Sequence, residues 1–273
     1  MAHAALEALY PEPQPPTPAE VSERVVAGTA RVAHLQRTDP GGCWVAEAGG
    51  QIVGTALGLI REGVWGFSLF GVLPAFQGEG IGRRLYAAAV AYGEGEPGGI
   101  ILSSVHPAAI RAYARTPGYR LVPAVSLAGA PDMACAPATL RCRPGDLATD
   151  APTIEATSRH VRGASHLPDL PTMLDGPQRT LLVIDGEGFA CVRHGTPALL
   201  AARTEAAAED LLWGALRCCP PGREVTVDFV TAENGWAVRV GLKAQLTIAP
   251  DGPMFVRGEI GPLAPYLPSG AYL

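Results

Sequence analysis

Lysine is almost missing from this chain: Lys243 is the one lysine among 273 residues, and arginine carries the rest of the positive charge. The formal net charge is −5. A general nucleic-acid binder shows a basic face, so this balance argues against nucleic acid as a partner. Long apolar runs are missing too. None approaches the roughly 20 residues of a membrane-spanning helix, and the first residues lack the basic start and apolar core of a secretory signal. The expected setting is cytoplasmic, with no membrane partner. The cysteines at 43, 135, 142, 191, 218 and 219 include no C-x-x-C and no zinc spacing. They are expected as buried free thiols, with no metal centre. The adjacent Cys218 and Cys219 stand at a helix end before Pro220, where packing is expected rather than a functional thiol pair.

What is present suits one large or two ordinary domains. The chain is 48% hydrophobic and 17% charged, enough for real cores, and its 33 glycines and 26 prolines imply many turns. The stretch from Leu69 to Tyr92 reads LFGVLPAFQGEGIGRRLYAAAVAY: an apolar strand, a proline break, a glycine turn and a helix. Ile81, Leu85, Ala88, Ala89 and Tyr92 fall on one helical face, and Gly93 follows where a cap belongs. A helix start carries unpaired N–H groups and the positive end of the macrodipole. Glycines at 78, 80 and 82 remove β-carbons that would keep a phosphate away from those groups. Arg83 and Arg84 put like charge at the positive dipole end, a poor arrangement unless an anion sits there. The spacing alone also suits a glycine-rich loop leading into a surface helix. It is neither a P-loop, since no Gly-Lys-Ser/Thr follows, nor G-x-G-x-x-G.

The order Val72, Pro74, Gln77, Gly80, Gly82 resembles the acetyl-CoA signature of the GNAT N-acetyltransferases, V-x-P-x-x-Q/R-x-x-G-x-G/A, with every position filled. The resemblance implies that the backbone of Gly78, Glu79, Gly80, Ile81, Gly82 and Arg83, with Arg84 beside it, holds the pyrophosphate of acetyl-CoA. It implies that the strand ending at Val72 and Leu73 splays from its neighbour and pairs with the pantetheine arm. The N–H near Leu73 would then polarise the thioester carbonyl. A second family motif, N-x-x-A-x-x-x-Y followed by Gly-Phe, is matched by HPAAIRAYARTPGY at Ala109 and Tyr113. His106 stands for the asparagine, Tyr119 for the phenylalanine, and Pro117 lengthens the loop.

The periodicities predict, in order, a helix over 19–36 and strands over 43–48, 51–60 and 64–73. The glycine turn and its helix follow, then a strand at 99–104, a helix at 107–115 and a strand at 119–122. The resembling family opens with a strand before the first helix, and residues 1–18 offer no candidate. Either the sheet is one strand short or a segment from elsewhere completes it, the C-terminal tail being one donor. Residues 124–137 read as an Ala/Pro-rich linker. A second set follows: strand 139–143, helix 150–161, strands 181–184, 189–193 and 198–202, helix 205–217, strand 224–230, helix 234–240 and strand 245–249. The plan repeats with an offset of roughly 125 residues. The expected fold class is α/β (α+β): two GNAT-like domains, 1–128 and 138–273, each a mixed, mostly antiparallel sheet flanked by helices. In the second copy Arg203-Thr204 replaces the glycine turn, and Glu205, Glu209 and Asp210 follow. A carboxylate in the first turn satisfies the dipole and repels phosphate, so this half is expected to keep the fold without the cofactor.

Acetyl transfer needs a neutral amine, a polarised carbonyl and a proton for the leaving thiolate. Tyr113 is the expected acid, with an unperturbed pKa of about 10; the alternative is a core tyrosine with its hydroxyl at the rim. His106 is a candidate by type, or simply a helix N-terminal residue. No base is identified; Glu47 and Glu62 are candidates, or solvated edge and turn charges. His160, His166 and His194 read as structural or surface residues, and Trp44 and Trp65 as core packing or a cleft lining. The expected acceptor is a small-molecule amine or a protein N-terminus. Net acidity mildly favours a cationic one such as a polyamine or aminoglycoside. The competing expectation is a non-catalytic acyl-CoA-binding or ligand-sensing module; a purely structural protein fits the second half only.

Overall fold

The computed structural model of the chain describes residues 18–273. Helix α1 (Pro18–Thr38) leads into three antiparallel strands, β1 (Cys43–Ala48), β2 (Gln51–Arg61) and β3 (Val64–Val72). Two-residue turns at Gly49-Gly50 and Glu62-Gly63 join them, all four residues at positive φ, as the tight hairpin turn requires. Helix α2 (Ile81–Tyr92), β4 (Gly98–Leu102), α3 (Pro107–Ala114) and β5 (Arg120–Val122) complete the order expected for the first half. A strand ahead of α1 would fall almost wholly in residues outside the described ones.

The stretch expected as a linker is not one at its start, because Ala124–Gly129 forms strand β6. Its small residues hide the period-two pattern, yet Leu127 is fully buried, against Gly241. The second half follows as β7 (Arg143–Pro144), α4 (Leu147–Arg162), α5 (Leu170–Leu174), β8 (Arg179–Ile184), β9 (Gly188–Arg193) and β10 (Thr196–Ala202). It ends with α6 (Glu205–Arg217), β11 (Val225–Thr231), α7 (Gly235–Lys243), β12 (Thr247–Pro250), β13 (Met254–Gly258) and β14 (Tyr266–Leu267). Helix α4 starts before the expected Asp150 because Asp146 caps it, its Oδ1 accepting from Ala148 N at 3.1 Å and Thr149 N at 2.9 Å. The sequence pattern does not predict α5, β13 or β14.

The result is a mixed α/β fold with mostly antiparallel sheets. One sheet runs β1-β2-β3-β4-β13-β5, a second β14-β10-β9-β8-β7, and a third β11-β6-β12. Strand β13 of the second half sits between β4 and β5 of the first. Strand β6 of the first half sits between β11 and β12 of the second. The two halves therefore exchange equivalent strands. The C-terminal region does donate a strand, but at β4–β5; the outer edge of β1 has no strand partner among the described residues.

Side chains repeat this reciprocity. Glu62, in the first half's hairpin turn, pairs with Arg159 on α4 at 2.6 Å. His194, in the matching turn of the second half, meets Glu23 on α1 at 3.0 Å. Contacts that return in kind across an interface mark a pseudo-two-fold arrangement. Between the halves lies one apolar core joining Leu35, Leu57, Val64 and Ile100 to Ile154, Val183, Phe189 and Leu199. The opposite face of the first sheet carries α2 and α3 over Trp65, Phe67, Leu85 and Ala89. Trp65 is thus core, whereas Trp44 is 44% exposed, its Nε1 donating to Gly41 O at 3.0 Å. His166 is buried and bonded to the Tyr266 hydroxyl at 2.7 Å.

A buried charge cluster pins the interface. Arg61 donates from Nη1 to Asp39 Oδ2 at 2.8 Å and from Nη2 to Asp169 Oδ1 at 2.6 Å, and His34 Nε2 lies 2.7 Å from the same Asp169 oxygen. Replacing Arg61 by methionine leaves two buried carboxylates without a counter-charge, and is expected to cost about 3–5 kcal/mol of stability. Urea unfolding at pH 7 reads this; a change within experimental error contradicts the role. Strand exchange gives a second expectation. Proteolytic nicking within 130–137 should leave the two pieces co-eluting under native conditions. Either piece produced alone should give the hydrogen-exchange profile of an unfolded chain.

Candidate active site

The site begins where β3 and β4 part. They pair in parallel from Val64↔Gly98 to Phe67↔Ile101 and no further, although β3 continues to Val72. Ser68 forms a bulge, since Leu57 lies opposite Leu69 while Gly58 lies opposite Phe67. A bulge bends its strand and increases the local twist, which carries the rest of β3 away from β4. Beyond the bulge, Leu73 N donates to Val53 O at 2.9 Å. Backbone groups alternate sides along an antiparallel ladder. Leu69, Gly71 and Leu73 therefore face β2, while the amides of Phe70 and Val72 face the gap. This corrects the expectation for Leu73, whose N–H is taken by the sheet; Val72 holds the open position. The Val72 carbonyl accepts from Gln77 Nε2 at 3.0 Å, so the Gln77 side chain braces the turn.

Within the turn, Gly78 and Gly80 have φ of 87° and 81°, a left-handed conformation that favours glycine. A β-carbon at Gly78 would meet nothing within 4 Å, and at Gly80 only Arg83 Nη2 at 3.8 Å. Gly82 serves helix packing instead. Its Cβ position lies 3.4 Å from the Phe70 ring and 3.7 Å from Val72 Cγ2, ordinary contacts, so α2 rests on β3 here and a methyl group would also fit. The α2 ladder begins with Arg84 N donating to Gly80 O at 3.2 Å. The amides of Ile81, Gly82 and Arg83 precede it and have no intrahelical acceptor. This is a cradle that fits a diphosphate: open amides, the helix dipole, and space that side chains leave clear.

Cradle and gap open into one cleft of ≈ 1060 Å³. Of the residues expected at the site, Val72, Gln77, Gly78, Gly80, Gly82, Arg83, His106 and Tyr113 line it. Leu73, Glu79, Ile81 and Arg84 do not. Tyr113 is 4% exposed, ringed by Phe67, Tyr86 and Phe255 at centroid distances of 6.0, 5.2 and 5.6 Å. Burial first, and Tyr86 second, push its phenol well above the usual value, so the proton stays on at neutral pH. His106 caps α3, its Nδ1 accepting from Ala108 N at 3.2 Å. With Nδ1 engaged, the neutral ring carries its proton on Nε2 and offers the cleft a donor, not a base.

Neither expected carboxylate reaches the cleft. Glu47 is exposed on β1. Glu62 is held by Arg159 and by Ser165 N at 2.9 Å, and its carboxyl lies below the usual range for those reasons. The second half places carboxylates next to a residue that lines the cleft, Phe229. Phe229, whose ring lines it, donates its N–H to Asp251 Oδ2 at 2.9 Å, and Asp228 precedes Phe229 in the chain. Burial, then Asp251, push the Asp228 carboxyl up to about 6. Also lining the cleft, and not signalled by any motif, are Arg31, Arg111, Arg115 and Gly270. Arg111 and Arg115 add positive charge on the cradle's side, against the net charge of the chain. No group of three His, Cys, Asp or Glu among the described residues is placed to hold a metal.

Residues 4–119 match the model of the acetyltransferase (GNAT) family. The first half is therefore similar to the acetyltransferase domains of that family. A protein of Pyrococcus horikoshii provisionally assigned as an acetyltransferase superposes over 100% of this chain and 91% of its own, with TM-score 0.74 and 16% identity. A tandem GNAT protein from the clavulanic acid biosynthesis pathway covers 94% of this chain and 92% of its own, at TM-score 0.51 and 15% identity. A GNAT-family N-acetyltransferase from Kribbella flavida covers 94% and 70%, at 0.51 and 15%. At these identities the superpositions speak for the fold. No curated protein matches by sequence.

The second half departs from the first at the start of its corresponding helix, α6. Thr204 Oγ1 accepts from Ala207 N at 3.2 Å, capping α6 with a side chain. Arg239 ties Glu205 and Glu209 at 2.6 and 3.0 Å across the same end. The edge of β10, which by hairpin position matches β3 beyond its bulge, is filled: Leu200 pairs with Leu267 and Ala201 with Tyr266 of β14. The chain's own tail thus takes the edge that lies open in the first half.

The pH dependence of Asp228 gives a test of its surroundings. Its folded value lies above that of an unfolded aspartate, so ionisation opposes folding; the cost is absent in acid and complete above about pH 6. Asp228→Asn should therefore raise the melting temperature at pH 7.5 and leave it unchanged near pH 3. Because Asp228 is exposed on β11, solvent screens most of this effect and the rise should be small. A fall at pH 7.5 would contradict this account.

Proposed function

We propose that the first half binds acetyl-CoA and transfers its acetyl group directly to a primary amine. The observation that carries this reading is the joining of three features in one cleft. These are unbonded amides at the start of α2, the open amides of Phe70 and Val72, and the buried, protonated Tyr113. The family uses acetyl-CoA, which supplies an activated acetyl thioester. The amides of Gly82 and Arg83 hold its diphosphate, with Arg83, Arg111 and Arg115 as counter-charges. The free edge of β3 orders the pantetheine arm as a strand partner. The Val72 amide points to where negative charge develops on the thioester oxygen, a donor fixed beforehand by the sheet. Tyr113 gives its proton to the departing thiolate. His106 donates from Nε2 and holds α3 in place. No cysteine lines the cleft, and the hydroxyls of Ser68 and Ser103 donate to carbonyls rather than to a base. With no nucleophile activated for a covalent intermediate, a single displacement is the mechanism. We place the reaction in the cytoplasm, consistent with six free thiols.

One observation favours a second reading, a non-catalytic acyl-CoA-binding module: no carboxylate among the described residues lines the cleft. Calorimetry and thiol release over a broad amine panel decide between them. Gly80→Glu should abolish coenzyme A binding. Tyr113→Phe should leave that binding intact and slow thiol release, general acids being worth on the order of 10²–10⁴-fold. Unchanged affinity in Gly80→Glu removes the phosphate site. Tight coenzyme binding without turnover on any amine favours the binding module.

A further inference from the structure

The cleft passes through the sheet. On one face it meets α2, α3 and the glycine turn; on the other it meets α1 and the tail after β14, where Arg31 and Gly270 line it. Arg31 is mostly buried. Its Nε donates to Ser68 Oγ at 2.9 Å; its Nη2 donates to the same oxygen at 2.7 Å, to the Ser68 carbonyl, and to Gly270 O at 3.3 Å. Every one of these acceptors is neutral. Ser68 Oγ donates its own hydrogen bond to Ala271 O at 2.6 Å. No carboxylate among the described residues pairs with Arg31.

Two other buried guanidiniums show how unusual this is. Arg61 has Asp39 and Asp169. Arg162 donates from Nε, Nη1 and Nη2 to main-chain oxygens of Ala164, Tyr272, Leu273 and Ser165 at 2.7–3.2 Å, so each of its nitrogens has an acceptor. In Arg31 the Nη1 group has no acceptor among the described residues. Burial lowers the Arg31 pKa to about 10, with only Tyr272 acting in the opposite sense. A buried cation lacking a counter-charge is costly, and an anion that reaches it gains a strong, charge-assisted bond. The bulge at Ser68 that opens the gap is the same residue that anchors the guanidinium. An anion on Nη1 would therefore sit beside the point where β3 leaves β4.

We infer that Arg31 seats a carboxylate of the acceptor, so that the amine acetylated here belongs to an amino-acid-like molecule rather than to a polyamine. This rests on the acetyl-transfer reading for the word acceptor, but not for the existence of the anion site. It also runs against the overall charge of −5, because the local field of the cleft and not the total governs what is bound. Arg31 acts as a specificity-determining residue; Ser68 and the tail at Gly270 and Ala271 position it.

The experiment uses matched ligand pairs with the full chain and coenzyme A present. Binding of N-acetyl amino acids and of their carboxamides is measured by calorimetry, and acetyl transfer to the parent amino acids and amino-acid amides by thiol release. The carboxylate member should bind better by about tenfold or more, the size of one charge-assisted contact. Arg31→Gln should erase that preference while leaving coenzyme A affinity and carboxamide binding unchanged, and Arg31→Lys should restore part of it. Equal binding of both members by the native protein overturns the inference, as does a preference that persists in Arg31→Gln. An Arg31-dependent preference without any acetyl transfer keeps the anion site and removes the enzymatic reading. Transfer that ignores the carboxylate does the reverse.

Discussion

Two neighbouring strands that stop pairing while both continue leave backbone N–H and C=O groups that must find partners. That constraint governs this molecule twice. In the first half the bulge at Ser68 ends the β3–β4 ladder after Phe67, and the freed edge of β3 looks into a cleft. In the second half the matching edge of β10 is covered by β14, with Ala202 N also donating to Pro265 O at 3.1 Å. One tail segment therefore closes the second opening. It then runs on to Gly270 and Ala271, which touch Arg31 and Ser68 beside the first opening. The half without a cofactor cradle thus builds one wall of the half that has one.

The strand exchange makes this arrangement rigid. Because β13 is clasped between β4 and β5, and β6 between β11 and β12, neither half has a complete sheet of its own. The Glu62–Arg159 and His194–Glu23 pairs lie at matching places on the two sides. They are worth little singly at the surface, but they fix the hairpin turns against the opposite helices. The buried group of Arg61, Asp39, Asp169 and His34 is different in kind. It is shielded from water, and removing one partner strands the others.

Charge is distributed against the chain's average. An acidic protein gathers Arg83, Arg111 and Arg115 on the cradle side of the cleft and Arg31 on the other. Asp251, which accepts from Phe229 N, and Asp228, which precedes Phe229, belong to the second half.

The local parts were legible in residue order. Gly78 and Gly80 signal the turn because positive φ is a demand on single residues. The helix face from Ile81 to Tyr92 and the hairpins follow from period and turn chemistry. Thr204 and Glu205 mark the second copy as a helix start satisfied from within. Strand β6 was not legible, since the small residues of AVSLAG look like linker until Leu127 is seen buried. The open amide of β3 was expected near Leu73 and lies at Val72, because its direction depends on register with β2, which only the pairing of Leu73 with Val53 fixes. Nothing in the sequence linked Arg31 to Ser68, or either to Gly270, for these contacts span 37 and 239 positions. By itself, then, the sequence determined the resemblance to the family, the glycine turn with its positive φ, and the side-chain cap that replaces it in the second copy, all of them set by short-range stereochemistry. The tertiary structure decided which half completes which sheet, and which charges face the cleft, because those depend on contacts between residues that chain order keeps far apart.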